Sequence, residues 1–204
     1  MQRCPLTRIV LASISPRRLE LLRSLGLEVA VVRSGYHEPP APGLRPEQLA
    51  ASHAREKLTA VLSRGGTDAP VVAADTVVDL DGTALGKPED AADAVRMLRL
   101  LSGRDHFVHT AFALSIPGRD SPIEDVSTTR VRFHALEEGE IRSYVAGGDP
   151  MDKAGAYGIQ GRGAALVEAI DGDFYTVMGF PLGRFIRTLT RLGFSLPAAN
   201  PTAP

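Results

Sequence analysis

The stretch VVAADTVVDLDGTALGKP, residues 71–88, decides the fold. It opens with a continuous apolar, β-branched run, which reads as a strand covered on both faces. Asp75 stands in the middle of that run. An ionised carboxylate buried alone is too costly to keep, so it needs a metal, a cation or a shifted pKa. Asp81-Gly82 is a two-residue hairpin signal, which makes 83–85 the returning strand. The return ends at Gly86-Lys87-Pro88, so Asp75 and Lys87 could face one cleft. The same residues also suit a structural aspartate and a solvated lysine.

Upstream, residues 9–12 (IVLA) form a strand candidate, followed by Ser13-Ile14-Ser15 and a helix over 16–25. Ser15 fits the N-cap and Pro16 the first helical position. Arg17 and Arg18 then occupy the first turn, where positive charge opposes the helix dipole. An anion there resolves the conflict: free backbone N–H groups, two serine hydroxyls and two guanidinium groups all suit phosphate. The glycines and lysine of a Walker loop are missing. A strand over 29–32 leads into a Gly- and Pro-rich loop containing His37 and Glu38, where Glu38 taken alone reads as a solvated acid. On a helix over 46–63, Lys57 lies on the apolar arc and either snorkels out or reaches into a pocket. His53, near the same arc, reads as a packed core histidine.

Downstream, a helix spans 91–101, and strands are expected over 106–116 and 125–134, then a helix over 137–146. His106 and His109, three apart on a strand, point to opposite faces and are not a metal pair. Arg130 and Arg132 alternate with apolar residues as a solvated face. Residues 150–163 (PMDKAGAYGIQGRG) carry too little apolar bulk for a core element and by composition read as a surface loop. Their glycines would also let backbone approach a ligand closely. Within that segment Lys153 could neutralise phosphate and Gln160 could pair with a base edge. A strand over 164–170 and a last helix over 181–192 complete the chain. The order of elements implies a mixed-sheet α/β protein with a cleft, not a doubly wound dinucleotide domain.

Composition bounds the function. The 204 residues carry a net charge of −1, no Trp and a single cysteine, Cys4. No intramolecular disulfide or cysteine zinc site can form. The charge balance and sparse aromatics disfavour nucleic acid as a partner. No apolar run approaches the ~20 residues of a membrane span. The opening MQRCPLTR lacks a signal peptide's apolar core, so a cytoplasmic location is expected. Residues 1–196 are expected to form one domain of two lobes, with a disordered tail over 197–204.

Three segments taken together resemble the Maf family of nucleoside triphosphate pyrophosphatases: LASISPRRLELL (11–22), AADTVVDLDGTALGKP (73–88) and DKAGAYGIQGRGAALVEAIDGDFYTVMGFPL (152–182). DAVRMLRLLSGRDHFVHTA (93–111) is also similar to that family. The resemblance implies an inosine-triphosphatase-like fold, with two lobes around a central cleft. It also implies metal-dependent hydrolysis of a nucleoside triphosphate to the monophosphate and pyrophosphate. By the same resemblance Asp75 is the proton acceptor, and Lys57 and Lys87 face the phosphates. Ser13, Ser15, Arg17, Arg18, Thr76, Lys153 and Gln160 bind substrate, and Glu38 joins Asp75 at the metal. Many members carry an acid where this chain has His37. The form GIQG resembles the subfamily acting on dTTP and UTP, with Arg18, Thr76 and Gln160 the positions associated with that choice. The expected cofactor is Mg²⁺, with Mn²⁺ and Co²⁺ accepting similar oxygen ligands. Whether Asp75 takes the proton itself or orients metal-bound water stays open, and a homodimer is the family's tendency. The family's name also suggests a nucleotide-binding regulator of cell division or septum formation as an alternative.

Overall fold

The computed structural model describes residues 4–39, 41, 43–65 and 67–197. The expected tail therefore lies outside the described residues, apart from Pro197. In chain order the elements are β1 (Cys4–Pro5), β2 (Arg8–Leu11), α1 (Pro16–Arg23), β3 (Glu28–Val31), α2 (Pro46–Leu62), β4 (Val71–Leu80) and β5 (Thr83–Leu85). Then come α3 (Ala91–Leu101), β6 (Asp105–Ser115), β7 (Ile123–Phe133), α4 (Glu138–Ala146), β8 (Val167–Asp171), α5 (Phe174–Met178), α6 (Leu182–Arg191) and β9 (Phe194–Ser195).

One seven-stranded mixed sheet runs β3-β2-β4-β6-β7-β8, and β5 pairs with β4. β2 is parallel to both β3 and β4, while the β4–β5, β4–β6, β6–β7 and β7–β8 pairs are antiparallel. The terminal strands β1 and β9 form a separate parallel pair. The expected mixed α/β architecture is present.

β4 is the spine. On one side it pairs with β6 along Val71–Asp79. On the other it pairs with β2 only at Val71 and Val72, and with β5 only from Val78 to Leu80. Residues 73–77 thus have no strand partner on that side among the described residues, and the sheet is open at its centre. The hairpin signal is borne out: Asp81 and Gly82 both have positive φ, at 53° and 82°, as a type I′ turn requires.

The alternation of β4 distributes three cores. Val71, Ala73 and Val77 pack with Ala50, Ala54, Leu58 and Val61 of α2 on one face. On the opposite face Val72 and Ala74 join α1 and α6, around the ring cluster of Phe112, Phe180 and Phe185. Farther along the same face Val78 and Leu80 join α3 and α4. Each fully buried Leu or Phe contributes about 1.5–3 kcal/mol. The two cores that share a face divide at Thr76, and the cleft follows that division.

Two stretches correct the sequence reading. Residues 150–163 are not a surface loop: they form 3₁₀ turns, and Ala156, Tyr157 and Ile159 are buried in the cores. Small residues make this packing feasible, because a Cβ on Gly155 would stand 3.0 Å from Val78 Cγ2. Residues 164–166 belong to the third of these turns, so the strand expected over 164–170 begins at Val167.

His106 and His109 lie on opposite faces, as the spacing requires. His109 bridges Asp79 (Nε2 to Oδ2, 3.2 Å) and Thr128 (Nδ1 to Oγ1, 2.8 Å). His106, 1% exposed, packs edge-on to Phe133 and meets the Tyr157 hydroxyl at 2.7 Å through Nε2. Burial pushes the His106 imidazole down to about 4. Between its ordinary value near 6.5 and about 4, the unfolded chain binds a proton that the folded chain refuses, so stability falls as pH drops through that window. We expect wild type to lose about 2 kcal/mol more than His106→Gln between pH 7.5 and pH 5. Urea unfolding at the two pH values checks this, and equal losses in both proteins contradict it.

Candidate active site

A cleft of about 1290 Å³ opens along the unpaired middle of β4. It is lined by the turn before α1, the loop after β3, α2, the end of β5, residues 149–161 and the turn after α5. All the residues expected at a phosphate, base or metal line it: Ser13, Ser15, Arg17, Arg18, Glu38, Lys57, Asp75, Thr76, Lys87, Lys153 and Gln160.

On the α2 face, Lys57 does not snorkel. It is buried, and its ammonium contacts Asp75 Oδ1 at 2.6 Å and Glu38 Oε1 at 2.5 Å. Asp75 is 5% exposed, and burial raises its carboxyl above the ordinary value; Lys57 opposes that rise while Glu38 adds to it. Burial also acts to raise Glu38, but Lys57, Lys87 and His53 outweigh it and hold that carboxyl low. The Glu38 side chain keeps 40% of its surface open to the cleft. Of the three possibilities the sequence left for Asp75, the structure shows a cation and a raised pKa.

The loop that delivers Glu38 is anchored by a residue the sequence did not flag. Arg64, just past α2, donates to the carbonyls of Arg33 (2.9 Å) and Ser34. Gly35, at φ +67°, admits that guanidinium, since a Cβ there would lie 2.5 Å from Arg64 Nη2. Farther along, the Tyr36 hydroxyl meets His53 Nδ1 at 3.3 Å, and His53 is buried as expected. His37 is exposed at the cleft rim.

On the other face, the turn before α1 is held by its own side chains. Ser15 occupies the N-cap position without a side-chain capping bond; instead its N–H donates to Ser13 Oγ at 3.2 Å. Arg18 is bound on three sides, to Ser13 Oγ (3.3 Å), Thr76 Oγ1 (3.1 Å) and the Gly179 carbonyl (2.8 Å). Gly179, at φ +109°, is the residue whose missing side chain leaves Thr76 and Arg18 uncovered.

Across the cleft, Arg17 Nη1 meets Asp152 Oδ2 at 3.1 Å, and Lys153 Nζ meets Asp152 Oδ1 at 2.6 Å. Asp152 was not singled out from sequence, yet it joins the lobe of α1 to the lobe of α3 and α4. Lys153 also donates to the Asp149 carbonyl, and its stem lies over Gly158. Lys87 is exposed and makes no ion pair among the described residues. The Gln160 amide is exposed and makes no side-chain hydrogen bond among them. Its backbone is fixed from beneath: a Cβ on Gly163 would stand 1.8 Å from the Gly158 carbonyl oxygen. Gly163→Ala should therefore cost about 2 kcal/mol or more and displace the turn carrying Gln160. A thermal midpoint equal to wild type would contradict that packing.

No group of three or more His, Cys, Asp or Glu side chains stands together among the described residues. The donor set at the cleft is the carboxylates of Asp75 and Glu38, both hard oxygen ligands, which converge on the Lys57 ammonium. That set fits a small hard cation that keeps waters or phosphate oxygens as its other ligands, as Mg²⁺ does. It does not fit a closed structural zinc site.

The fold and the cleft define a two-lobed α/β protein whose interlobe site joins a carboxylate pair to several basic side chains, a site built for a polyanion. The chain belongs to the Maf family: the family model described as Maf-like protein matches residues 8–192. It is 46% identical over 187 residues to a dTTP/UTP pyrophosphatase of Geobacter metallireducens, covering 92% of this chain and 97% of that protein. It is 48% identical over 186 residues to one from Thermus thermophilus (91% and 95%), and 49% identical over 187 residues to one from Geobacter sulfurreducens (91% and 97%). A solved nucleoside-triphosphatase / dITP/XTP pyrophosphatase from Mycobacterium abscessus aligns over 91% of this chain and 96% of its own. At 18% identity and a TM-score of 0.42, that likeness is too slight to bear on the site.

Proposed function

We propose that this protein hydrolyses dTTP and UTP to the nucleoside monophosphate and pyrophosphate, using a divalent cation, Mg²⁺ by preference. The observation that carries the reading is the buried Lys57 ammonium held between Asp75 and Glu38 in a cleft edged by further cations. The relatives named dTTP/UTP pyrophosphatase, matched over nearly their whole length, support the substrate class.

Asp75 and Glu38 would hold the cation. When bound, it supplies charge neutralisation and Lewis acidity at the phosphate oxygens. Asp75, its basicity raised by burial, is suited to draw a proton from the water that attacks the α-phosphorus. Lys57 keeps both carboxylates in register before substrate arrives. Lys87, Arg17 and Lys153 line the same cleft and would offset the charge that develops on the leaving pyrophosphate, where a preorganised cation counts for more than one in bulk water. Gln160 offers one donor and one acceptor to the polar edge of uracil or thymine, and its N–H groups suit a ring carbonyl. The thymine methyl adds no polar group, so discrimination between dTTP and UTP is weak, and base-modified pyrimidine triphosphates are substrates as well. A cytoplasmic setting without nucleic acid as partner suits the near-neutral chain and its single cysteine.

A panel of UTP, dTTP, 5-methyl-UTP, pseudouridine triphosphate, CTP, GTP and 7-methyl-GTP tests the reading. Pyrophosphate release confined mainly to the uracil and thymine members is expected. Release confined to 7-methyl-GTP would keep the reaction and overturn the base assignment.

A further inference from the structure

A row of hydroxyl groups crosses the sheet where the two lobes divide. Thr76, Thr110 and Ser127 are direct cross-strand neighbours on β4, β6 and β7. Thr110 is fully buried, and the proposed chemistry gives it no role. Its Oγ1 lies 2.7 Å from the Thr176 carbonyl and 3.0 Å from Thr76 Oγ1, which in turn lies 3.1 Å from Arg18 Nη2.

The chemistry of these partners allows one direction only. A carbonyl accepts, so Thr110 spends its single proton on Thr176. It must then accept from Thr76. A guanidinium only donates, so Thr76 accepts from Arg18 and gives its own proton to Thr110. Thr76 is left with a lone pair and no free proton at the surface that Gly179 leaves uncovered. The same cleft is also lined by the apolar side chains of Ile159, Val177 and Met178, which suit the face of a flat base.

Gln160 does not fix this polarity by itself: among the described residues its amide has no side-chain hydrogen bond to lock it, so by turning over it can match either a uracil or a cytosine edge. We propose that Thr110 is a positioning residue for base selection: it fixes Thr76 as an acceptor beside the Arg18 donor, matching the N3–H and adjacent carbonyl of uracil or thymine. Cytosine carries a lone pair at N3, which meets the Thr76 lone pair unfavourably. This inference rests on the reading of the cleft as a pyrimidine triphosphate site.

The test uses Thr110→Val, which keeps the shape and removes the hydroxyl, with Thr110→Cys as a second variant that has only a weak donor. Thr110→Ser is the conservative control. In Thr110→Val the Thr76 proton is released and the group can turn to donate. The preference for UTP over CTP, as a ratio of kcat/KM, should relax about tenfold, the size of one misdirected hydrogen bond. Thr110→Cys should relax it in the same direction, and Thr110→Ser should restore it. A purely structural role would lower both substrates together and leave the ratio where it was. Wild-type turnover of UTP with an unchanged ratio in both Thr110→Val and Thr110→Cys overturns this inference alone. Wild-type protein that leaves UTP intact overturns the underlying reading and this inference with it.

Discussion

Asp75→Asn should lower kcat for UTP about a thousandfold while leaving the protein at least as stable as wild type. The amide keeps an oxygen that can accept from Lys57, so the 2.6 Å contact and the position of Glu38 survive. What disappears is the negative charge and the basicity that burial confers on the carboxyl. Loss of the charge also weakens any hold on a divalent cation. Burial of an ionised group opposes folding, so removing the charge relieves a cost that Lys57 only partly offsets. Steady-state kinetics and a thermal melt on one preparation check both halves. Near wild-type turnover in a folded Asp75→Asn protein would remove Asp75 from the chemistry.

Lys57→Met should destabilise as well as inactivate. The substitution keeps most of the apolar stem that packs on the α2 face and deletes the ammonium shared by the two carboxylates. Breaking a buried pair leaves an uncompensated charge and costs about 3–5 kcal/mol. The half-open Glu38 can turn to water, which favours the lower end, about 3 kcal/mol. For a chain of this size that is roughly a 10 °C fall in melting temperature. Lys87→Met gives the contrast. Lys87 is exposed and has no ion pair among the described residues, so its loss should leave the melting temperature within about 2 °C and still depress turnover. Equal melting temperatures for the two variants would contradict the buried bridge described here.

The sequence made some of this legible because local rules and tertiary structure agreed. The run over 71–80 is apolar on both faces, and it became the spine of the sheet. Asp81-Gly82 could form only a tight turn, and helix 91–101 matched at both ends. Lys57 stood out as a charge on an apolar arc, and Asp75 as a charge in an apolar strand; they answer each other. What stayed hidden were pairings between segments far apart in the chain. Asp152 contacts an arginine 135 residues away, and nothing local marks it. Thr110 sits in an unremarkable strand, and its role follows from register with Thr76 and from the α5 carbonyl above it. Arg64 lies just past the end of helix 46–63, where nothing local marks it, and it clamps the loop of Glu38. Residues 150–163 misled because composition suggested a loop, whereas small side chains are what allow close packing against Val78. The arginine pair before α1 did signal a special helix start. Only the fold shows that Arg17 points across the cleft while Arg18 is held by Ser13, Thr76 and Gly179.

The most direct test of the central claim is the ³¹P NMR spectrum of UTP incubated with the protein and Mg²⁺, repeated with excess EDTA. Conversion to UMP and pyrophosphate with Mg²⁺, and silence with EDTA, is the predicted result. UDP and inorganic phosphate, or a spectrum that stays that of UTP in both samples, would contradict it.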